Sequence, residues 1–453
     1  MSTPRLRPYQ TRGVGELRKA LAAGARSILF VLPTGGGKTV VFAEIIRSAV
    51  EKGKRVGVFV HRHELLAQTV SKLENVGVTN IRIIQAGSDL GSPNAPVFVA
   101  SIPTLVRRKG ELPQADLIII DEAHHTPAKT WASLAGGYSR SIVIGFSATP
   151  QRADGKSLSD IFDSIVVGAT PRELMDLGHL VECKVYAPHE RLEKALALSP
   201  VEAYQQHGHG ERAVIFCVSV KHATTVAEQM NAAGIPTGLI HGSLSRNERR
   251  NTLAALDAGT LRAVASCHVL TEGWDSPAVS ICILARKPQH AGLYLQMVGR
   301  VLRPSPGKTH ATLLDLCGSV HDHGPPDLER EYTLSGKGIS KVDHEKIRQC
   351  VHCGGVFQVG PLTCPMCGVE LPRRTSAPPE SIGVGVVALT DIPRPPPRTV
   401  SMTAKYPGRC RLCTGRIAIG EAIYWAKGEK PRHASCAGVD AAREANRLMR
   451  AVM

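Results

Sequence analysis

The sequence predicts an α/β protein: two parallel-sheet domains in tandem, followed by two small zinc-binding modules. Three observations predict it. Up to Gly318, short β-branched runs alternate with helical patterns. The runs are nearly continuous in apolar residues, as strands covered on both faces by crossover helices must be. The alternation falls into two separate series. After residue 349, seven of the twelve cysteines stand in paired spacings, which in a reducing compartment reads as metal binding rather than disulfides.

The first series is SILFVL (27–32), RVGVFVH (55–61), PVFVAS (96–101), LIIIDEA (117–123) and SIVIGFSAT (141–149). VVFAEIIRSAVEKG (40–53) and HELLAQTVSKLENVG (63–77) read as helices between them, each ended by the glycine a helix stop favours. The second series is RAVIFCVSV (212–220), PTGLIHG (236–242), RAVASCHVLTEG (262–273), VSICILAR (279–286) and HATLLDLCG (310–318), with KHATTVAEQMNAAG (221–234) as a helix. The joint lies between Asp176 and Gly210, where Pro188, Pro200 and a glycine–histidine run interrupt the pattern. The segment 372–400 is rich in proline and small residues, so it reads as an extended linker. DAAREANRLMRAVM (440–453) reads as a short helix.

Lysine and arginine total 55 against 39 acids, a formal charge of +16. That excess favours a polyanionic partner. Aromatic residues are only 4%, so backbone phosphates are a better target than stacked bases. No apolar run is long enough to span a membrane. MSTPRLRPYQ has no apolar core of a secretory leader, so the expectation is a cytoplasmic, reducing setting.

PTGGGKT (33–39) stands between a strand and a helix, the context of a phosphate-binding loop, although Leu32 occupies the position where that pattern has its first glycine. Backbone N–H groups near Gly35, Gly36 and Gly37, with the helix N-terminus, can face phosphate oxygens. Lys38 can reach the β- and γ-phosphates, and the Thr39 hydroxyl can ligate Mg²⁺. The loop alone leaves a plain glycine turn open. A second strand ends on Asp121 and Glu122, at the carboxyl edge where open α/β sheets bind ligands. Asp121 can hold Mg²⁺, and Glu122 can orient and deprotonate a water.

Here the chain resembles a family. PTGGGKT, DEAH (121–124) and FSATP (146–150) resemble motifs I, II and III of the superfamily 2 helicases. VIFCVSVKHA (214–223), VLTEGWDSP (269–277) and QMVGRVLR (296–303) resemble motifs IV, V and VI, and RPYQ (7–10), VHRHELLAQ (60–68) and VASIPTLVRR (99–108) resemble the Q element and motifs Ia and Ib. Pro103 stands where motif Ib has glutamine. The nearest resemblance is to bacterial and phage DEAD/DEAH-box helicases of the RadD (YejH) type, which also carry a cysteine-rich tail.

The resemblance implies two RecA-like domains, 1–178 for ATP binding and 179–320 as the helicase C-terminal domain. It implies Arg7 and Gln10 on adenine, Thr34 in the phosphate loop, Ser147 and Thr149 as coupling groups, and Gly273 and Asp275 linking nucleotide state to closure. Gln296, Arg300 and Arg303 recur at i, i+4 and i+7, one face of a helix; as arginine fingers the two arginines would be worth roughly 10³–10⁵ in rate. Arg62, Ser101, Thr104, His241 and Thr271 are the implied backbone contacts to nucleic acid, DNA rather than RNA. The function implied is an ATP-dependent helicase or translocase in repair, recombination or replication. A zinc-dependent nucleic-acid adaptor with a switching ATPase, or an RNA helicase, is the alternative.

Beyond a connector, 321–345, Cys350, Cys353, Cys364 and Cys367 form two Cys-x-x-Cys turns (module 346–372) with the spacing of a closed, structural zinc site. After the linker (373–404), Cys410, Cys413, His433 and Cys436 form a second set (module 405–440), with IAIGEAIYWAKGEK (417–430) read as a hairpin between its halves. A terminal helix, 441–453, completes the order. Segments this small need a metal in place of a core. The zinc tail can also recruit a protein partner, and the expected form is a monomer. The clusters HGHG (207–210) and HDHG (321–324) read as solvated turns.

Overall fold

In the computed structural model the chain divides into two compact units, Met1–Arg373 and Arg374–Met453. The structure describes residues 5–61, 65–85, 87, 89–108, 112–126, 128–152, 154–188, 196–271, 274–335, 347–350, 352–358, 360–371, 400–404, 407–410, 413, 415–425, 431–433 and 436. Arg62, Gly273, the proline-rich stretch up to residue 399 and the expected terminal helix lie outside the described residues. Among the described residues no helix is long and apolar enough to cross a membrane.

The first sheet has seven strands: β1 (Ser27–Val31), β2 (Val56–Val60), β3 (Ile81–Ile84), β4 (Val97–Ser101), β5 (Leu117–Ile120), β6 (Ile142–Ser147) and β7 (Ser164–Val167). Their order is β3-β4-β2-β5-β6-β1-β7, and every pairing is parallel. Because successive side chains point to opposite faces, β1 feeds two cores. Ile28 and Phe30 enter one; Leu29 and Val31 enter the other. The continuous apolar run is thus the signature of a strand with no wet face.

The second sheet has eight strands: β8 (Glu182–Tyr186), β9 (Ala213–Cys217), β10 (Thr237–Ile240), β11 (Ala263–Ser266), β12 (Ile281–Ala285), β13 (His310–Asp315), β14 (Ile347–Gln349) and β15 (Gly355–Gln358). The order is β10-β11-β9-β12-β13-β8-β15-β14. Six strands are parallel. The hairpin β14–β15 joins antiparallel to β8, with Val356 opposite Val185. The first cysteine cluster is therefore built onto the second sheet.

β3, β7 and β8 carry no continuous apolar run and were not legible as strands. β3 and β7 are the two edges of the first sheet. Most of their residues, and of those in β8, are only partly buried, so selection for apolar side chains is relaxed there. Helices Lys38–Glu51 and Leu65–Asn75 do stop at the expected glycines. Gly53 N donates to Val50 O and Lys54 N to Ala49 O, and Gly77 and Val78 repeat the pattern on Glu74 and Leu73, closing the last carbonyls of each helix.

The second unit holds β16 (Val400–Thr403), β17 (Gly408–Arg409), β18 (Arg416–Ile417), β19 (Ala422–Trp425) and β20 (Arg432–His433). Two expectations are corrected here. The linker does not reach residue 404, because Val400–Thr403 pairs with β19. IAIGEAIYWAKGEK does not fold back on itself in its described part. Ile417 pairs with Gly408, and β19 pairs with β16 and β20. The HDHG residues are not solvated turns either. Val320–His323 is a short helix, and His321 Nε2 pairs with Pro188 O at 2.8 Å.

One aromatic cluster positions the glycine-rich loop after β1. Phe146 of β6 stands 5.3 Å from Phe30 of β1 and 5.4 Å from Phe42 of the helix after the glycines. The strand before the loop and the helix after it are thus packed on one ring. Phe146 is fully buried. Phe146→Ala is expected to cost about 3–5 kcal/mol, and Phe146→Leu distinctly less, read from denaturant midpoints at constant m-value.

Candidate functional site

The loop between β1 and the helix Lys38–Glu51 turns on Gly35 and Gly37, at φ +87° and +79°, a region side chains with a Cβ disfavour. A Cβ on Gly37 would stand 2.6 Å from Gln10 Nε2. Gly36 O accepts from Tyr9 Oη at 2.9 Å and Gln10 Nε2 at 3.1 Å, while Gln10 Oε1 accepts from Arg7 N at 2.9 Å. Gln10 therefore clamps the loop's backbone. Lys38 Nζ donates to Leu32 O at 3.3 Å. Burial pushes the Lys38 ammonium below its usual range, against the pull of Glu122 and Asp121.

β5 delivers Asp121 and Glu122 to the same edge. Asp121 Oδ1 accepts from Glu122 N at 3.0 Å. Glu122 sits at φ +46°, left-handed backbone that an acid adopts only when its surroundings hold it there. Burial, then the neighbouring Glu122, raises the Asp121 carboxyl to about 6.

The second domain closes over this edge. A Cβ on Gly299 would meet Thr34 Cβ at 2.7 Å, and a Cβ on Gly35 would lie 3.4 Å from Arg303 Cγ. Gly292 N donates to Gln151 Oε1 at 3.0 Å. Gln296 Nε2 meets His124 Nε2 at 2.8 Å, and His124 Nδ1 meets Ser147 Oγ at 2.9 Å. The proton order follows from the far end. Ser147 Oγ gives its hydrogen to Thr149 O, so it accepts from His124 Nδ1–H. His124 Nε2 then carries no hydrogen and accepts from the Gln296 amide. One histidine thereby joins the DEAH, FSATP and QMVGR segments.

The arginines correct the helical-face expectation. The helix ends at Gly299, and Arg300 caps it. Arg303 precedes Pro304, which disfavours helical backbone. Arg300 donates to Thr271 O at 2.8 and 3.1 Å and to Trp274 O at 2.8 Å. Arg303 pairs with Asp275 and overlies Gly35. Two different turns, not one helix face, bring them to the cleft.

Among the expected nucleic-acid contacts, Ser101 and Thr104 are buried. Ser101 Oγ lies 2.8 Å from Thr104 Oγ1 and accepts from Thr104 N, capping the helix Ile102–Arg107. Their hydroxyls serve the fold. His241 Nδ1 is buried without a hydrogen-bond partner, and Thr271 uses its carbonyl on Arg300. Sequence reasoning missed Tyr9, His124 and Gln151 as site residues. His124 was visible only as a letter of DEAH, and nothing in the sequence marks Gln151.

The two cysteine clusters each bring four ligand atoms within 4.8 Å of one another. Cys350 and Cys367 Sγ are 3.8 Å apart, and Cys353 and Cys364 Sγ 3.7 Å. A tetrahedron of thiolates at about 2.3 Å from zinc has edges of about 3.8 Å, so the set fits. In the second cluster His433 Nδ1 lies 3.3 Å from Cys413 Sγ and 3.8 Å from Cys436 Sγ. Its Nε2 points to Arg416 O at 3.2 Å, the outer contact that orients a ligating imidazole. Zinc at both places would act as a structural cross-link.

Residues 3–152 match the family model described as the type III restriction enzyme res subunit, and residues 190–305 that of the helicase conserved C-terminal domain. A 51.5 kDa protein of Lactococcus phage (isolate 7-9) is 27% identical over 74% of this chain and 76% of its own. The putative ATP-dependent helicase IRC3 of Saccharomyces cerevisiae is 29% identical over 70% of this chain, which spans about half (52%) of that relative. A fragment of a putative HsdR subunit of a type I restriction enzyme from Vibrio vulnificus YJ016 shares the fold at TM-score 0.56 and 19% identity, over 74% of this chain and 68% of that one. The DEAD-box helicase Mss116 bound to ssRNA shares it at TM-score 0.52 and 17% identity, over 70% and 71%.

The geometry sets two expected outcomes. Since the Asp121 carboxyl holds its proton up to about pH 6, affinity for Mg²⁺–nucleotide is expected to fall as pH drops through about 6. In Glu122→Gln, which removes the neighbouring charge, the midpoint should move lower, as titration with a fluorescent nucleotide would read. The full protein is expected to hold two zinc ions per chain and Cys364→Ser one, read by elemental analysis.

Proposed function

We propose, from the premise that the chain belongs to superfamily 2 of the helicases, that it is an ATP-driven translocase or helicase of nucleic acid, with DNA preferred. The observation that carries the reading is the convergence of both domains on one loop. Lys38, Asp121 and Glu122 come from the first domain, Arg303 and the His124-bound Gln296 from the second.

In this reading Lys38 and the loop amides bind the β- and γ-phosphates. Thr39 and Asp121 would hold Mg²⁺, which when bound would offset the phosphate charge, and Glu122 takes the proton of the attacking water. Arg303 neutralises the charge that develops on the transferring phosphoryl group. Arg300 acts at one remove: its bonds to Thr271 and Trp274 hold Asp275, and with it Arg303, in place. The linked residues Ser147, Thr149 and His124 let phosphate loss reach the second domain, and the opening and closing of the cleft moves the strand. The basic excess supports a nucleic acid of either kind, and the match of residues 3–152 to the restriction-enzyme res-subunit model favours DNA.

The test is ATPase rate with single-stranded DNA, duplex, forks and RNA in parallel, together with strand displacement. Lys38→Ala is expected to lose roughly 100-fold or more in ATPase while keeping its salt-dependent nucleic-acid affinity. Wild-type rates in Lys38→Ala would overturn the mechanism. Greater stimulation by RNA would overturn the substrate preference.

A further inference from the structure

The stretch 319–335 leaves the second domain and returns to the first. It starts on the helix Ala291–Gly299: the His323 ring stands 5.3 Å from Tyr294, and His323 Nε2 pairs with Pro288 O at 3.4 Å. Its middle is organised by Arg330, a buried guanidinium donating to the carbonyls of His323, Pro325, Pro326 and Leu328. Its end is seated on the first domain. Leu334 O accepts from Leu158 N at 2.8 Å and from Ser157 Oγ at 2.7 Å, and Tyr332 and Leu334 pack on the core that holds Leu158, Ile161 and Phe162. Between these anchorages, Pro326 and Tyr332 line a cavity of about 20 Å³ with Pro33, Thr34, Ala148 and Gly299. The stretch runs directly behind the phosphate loop.

We propose that residues 325–335 are a strap that ties the two domains together behind the cleft and favours its closed state, with Tyr332 as a positioning residue for the loop and Leu334 as the detachable end. The two ends are unequal. The second-domain end is anchored by His323 on Tyr294 and Pro288 and by the ion pair of Asp322 with Lys287 at 3.0 Å, while Arg330 folds the strap on itself through four charge-assisted bonds, the stronger class. Leu334 is held by two neutral hydrogen bonds, the weaker class, and a half-buried side chain. When the cleft opens, the Leu334 end lets go, and the end anchored through Asp322 and His323 travels with the second domain. A ligand that needs the closed state then binds more weakly in proportion to the closed fraction.

The kinetic side of the proposal rests on reading the cleft as the ATP site; the structural side does not. Energy transfer between dyes on p-acetylphenylalanine at the exposed positions Glu51 and Glu228 reads domain separation in the full chain without nucleotide. Leu334→Asp is expected to lower the transfer and to raise KM for ATP about 3–10-fold, with kcat changed less than about twofold. Ser157→Ala removes one hydrogen bond and should shift both in the same direction by less. Tyr332→Ala should raise KM, and Tyr332→Phe should restore it. Thermal unfolding of each variant checks that the fold persists. Unchanged transfer in both Leu334→Asp and Ser157→Ala would overturn the strap. Lower transfer with unchanged KM would support the strap and count against ATP in this cleft.

Discussion

The chain of hydrogen bonds from Gln296 through His124 and Ser147 to Thr149 O is the constraint on which the rest of the closed structure depends. Through it a side chain of the second domain reaches the end of β6 by way of a single ring. A buried polar network of this kind is stable only when every member is satisfied. Each ring nitrogen has one neighbour, Ser147 Oγ on Nδ1 and the Gln296 amide on Nε2, so the ring's orientation is set from both domains. The close contacts of Gly299 on Thr34 and of Arg303 on Gly35 hold the two domains in the register this network needs.

Much of this was legible in sequence, and the reasons are physical. Central parallel strands are dry on both faces, so β1, β2, β4, β5 and β6 announce themselves as apolar runs. Lys38 and the glycines are readable because phosphate contact restricts both backbone and side chain. The cysteines are readable because a metal dictates ligand type and short-range spacing. What stayed hidden depends on long-range placement. β3, β7 and β8 are partly wet and look like loops. The turns that aim Arg300 and Arg303 depend on Pro304 and on carbonyls roughly thirty residues away, and a helical wheel cannot see them. Ser101 and Thr104 look like polar contacts in sequence but are spent on a helix cap.

The same distinction separates the two cysteine modules. Each has its ligands in knuckles closed by a backbone bond, Gly354 N to Cys350 O, Gly368 N to Cys364 O and Cys410 N to Gly415 O. Spacing reveals the knuckle. It does not reveal that the first module continues a sheet, whereas the second organises small sheets of its own. That difference is decided by which strand lies within hydrogen-bonding reach when the metal closes the turn.

The antiparallel seating of β15 on β8 has a consequence beyond local shape. The hairpin covers β8 at Val185 and Tyr186, and without it the N–H and C=O groups there would lengthen the open margin of the sheet. Such a margin is a template for pairing with any extended chain. A metal on the four cysteines would hold this cover in place, so the cluster would limit sticky edge as well as set local shape.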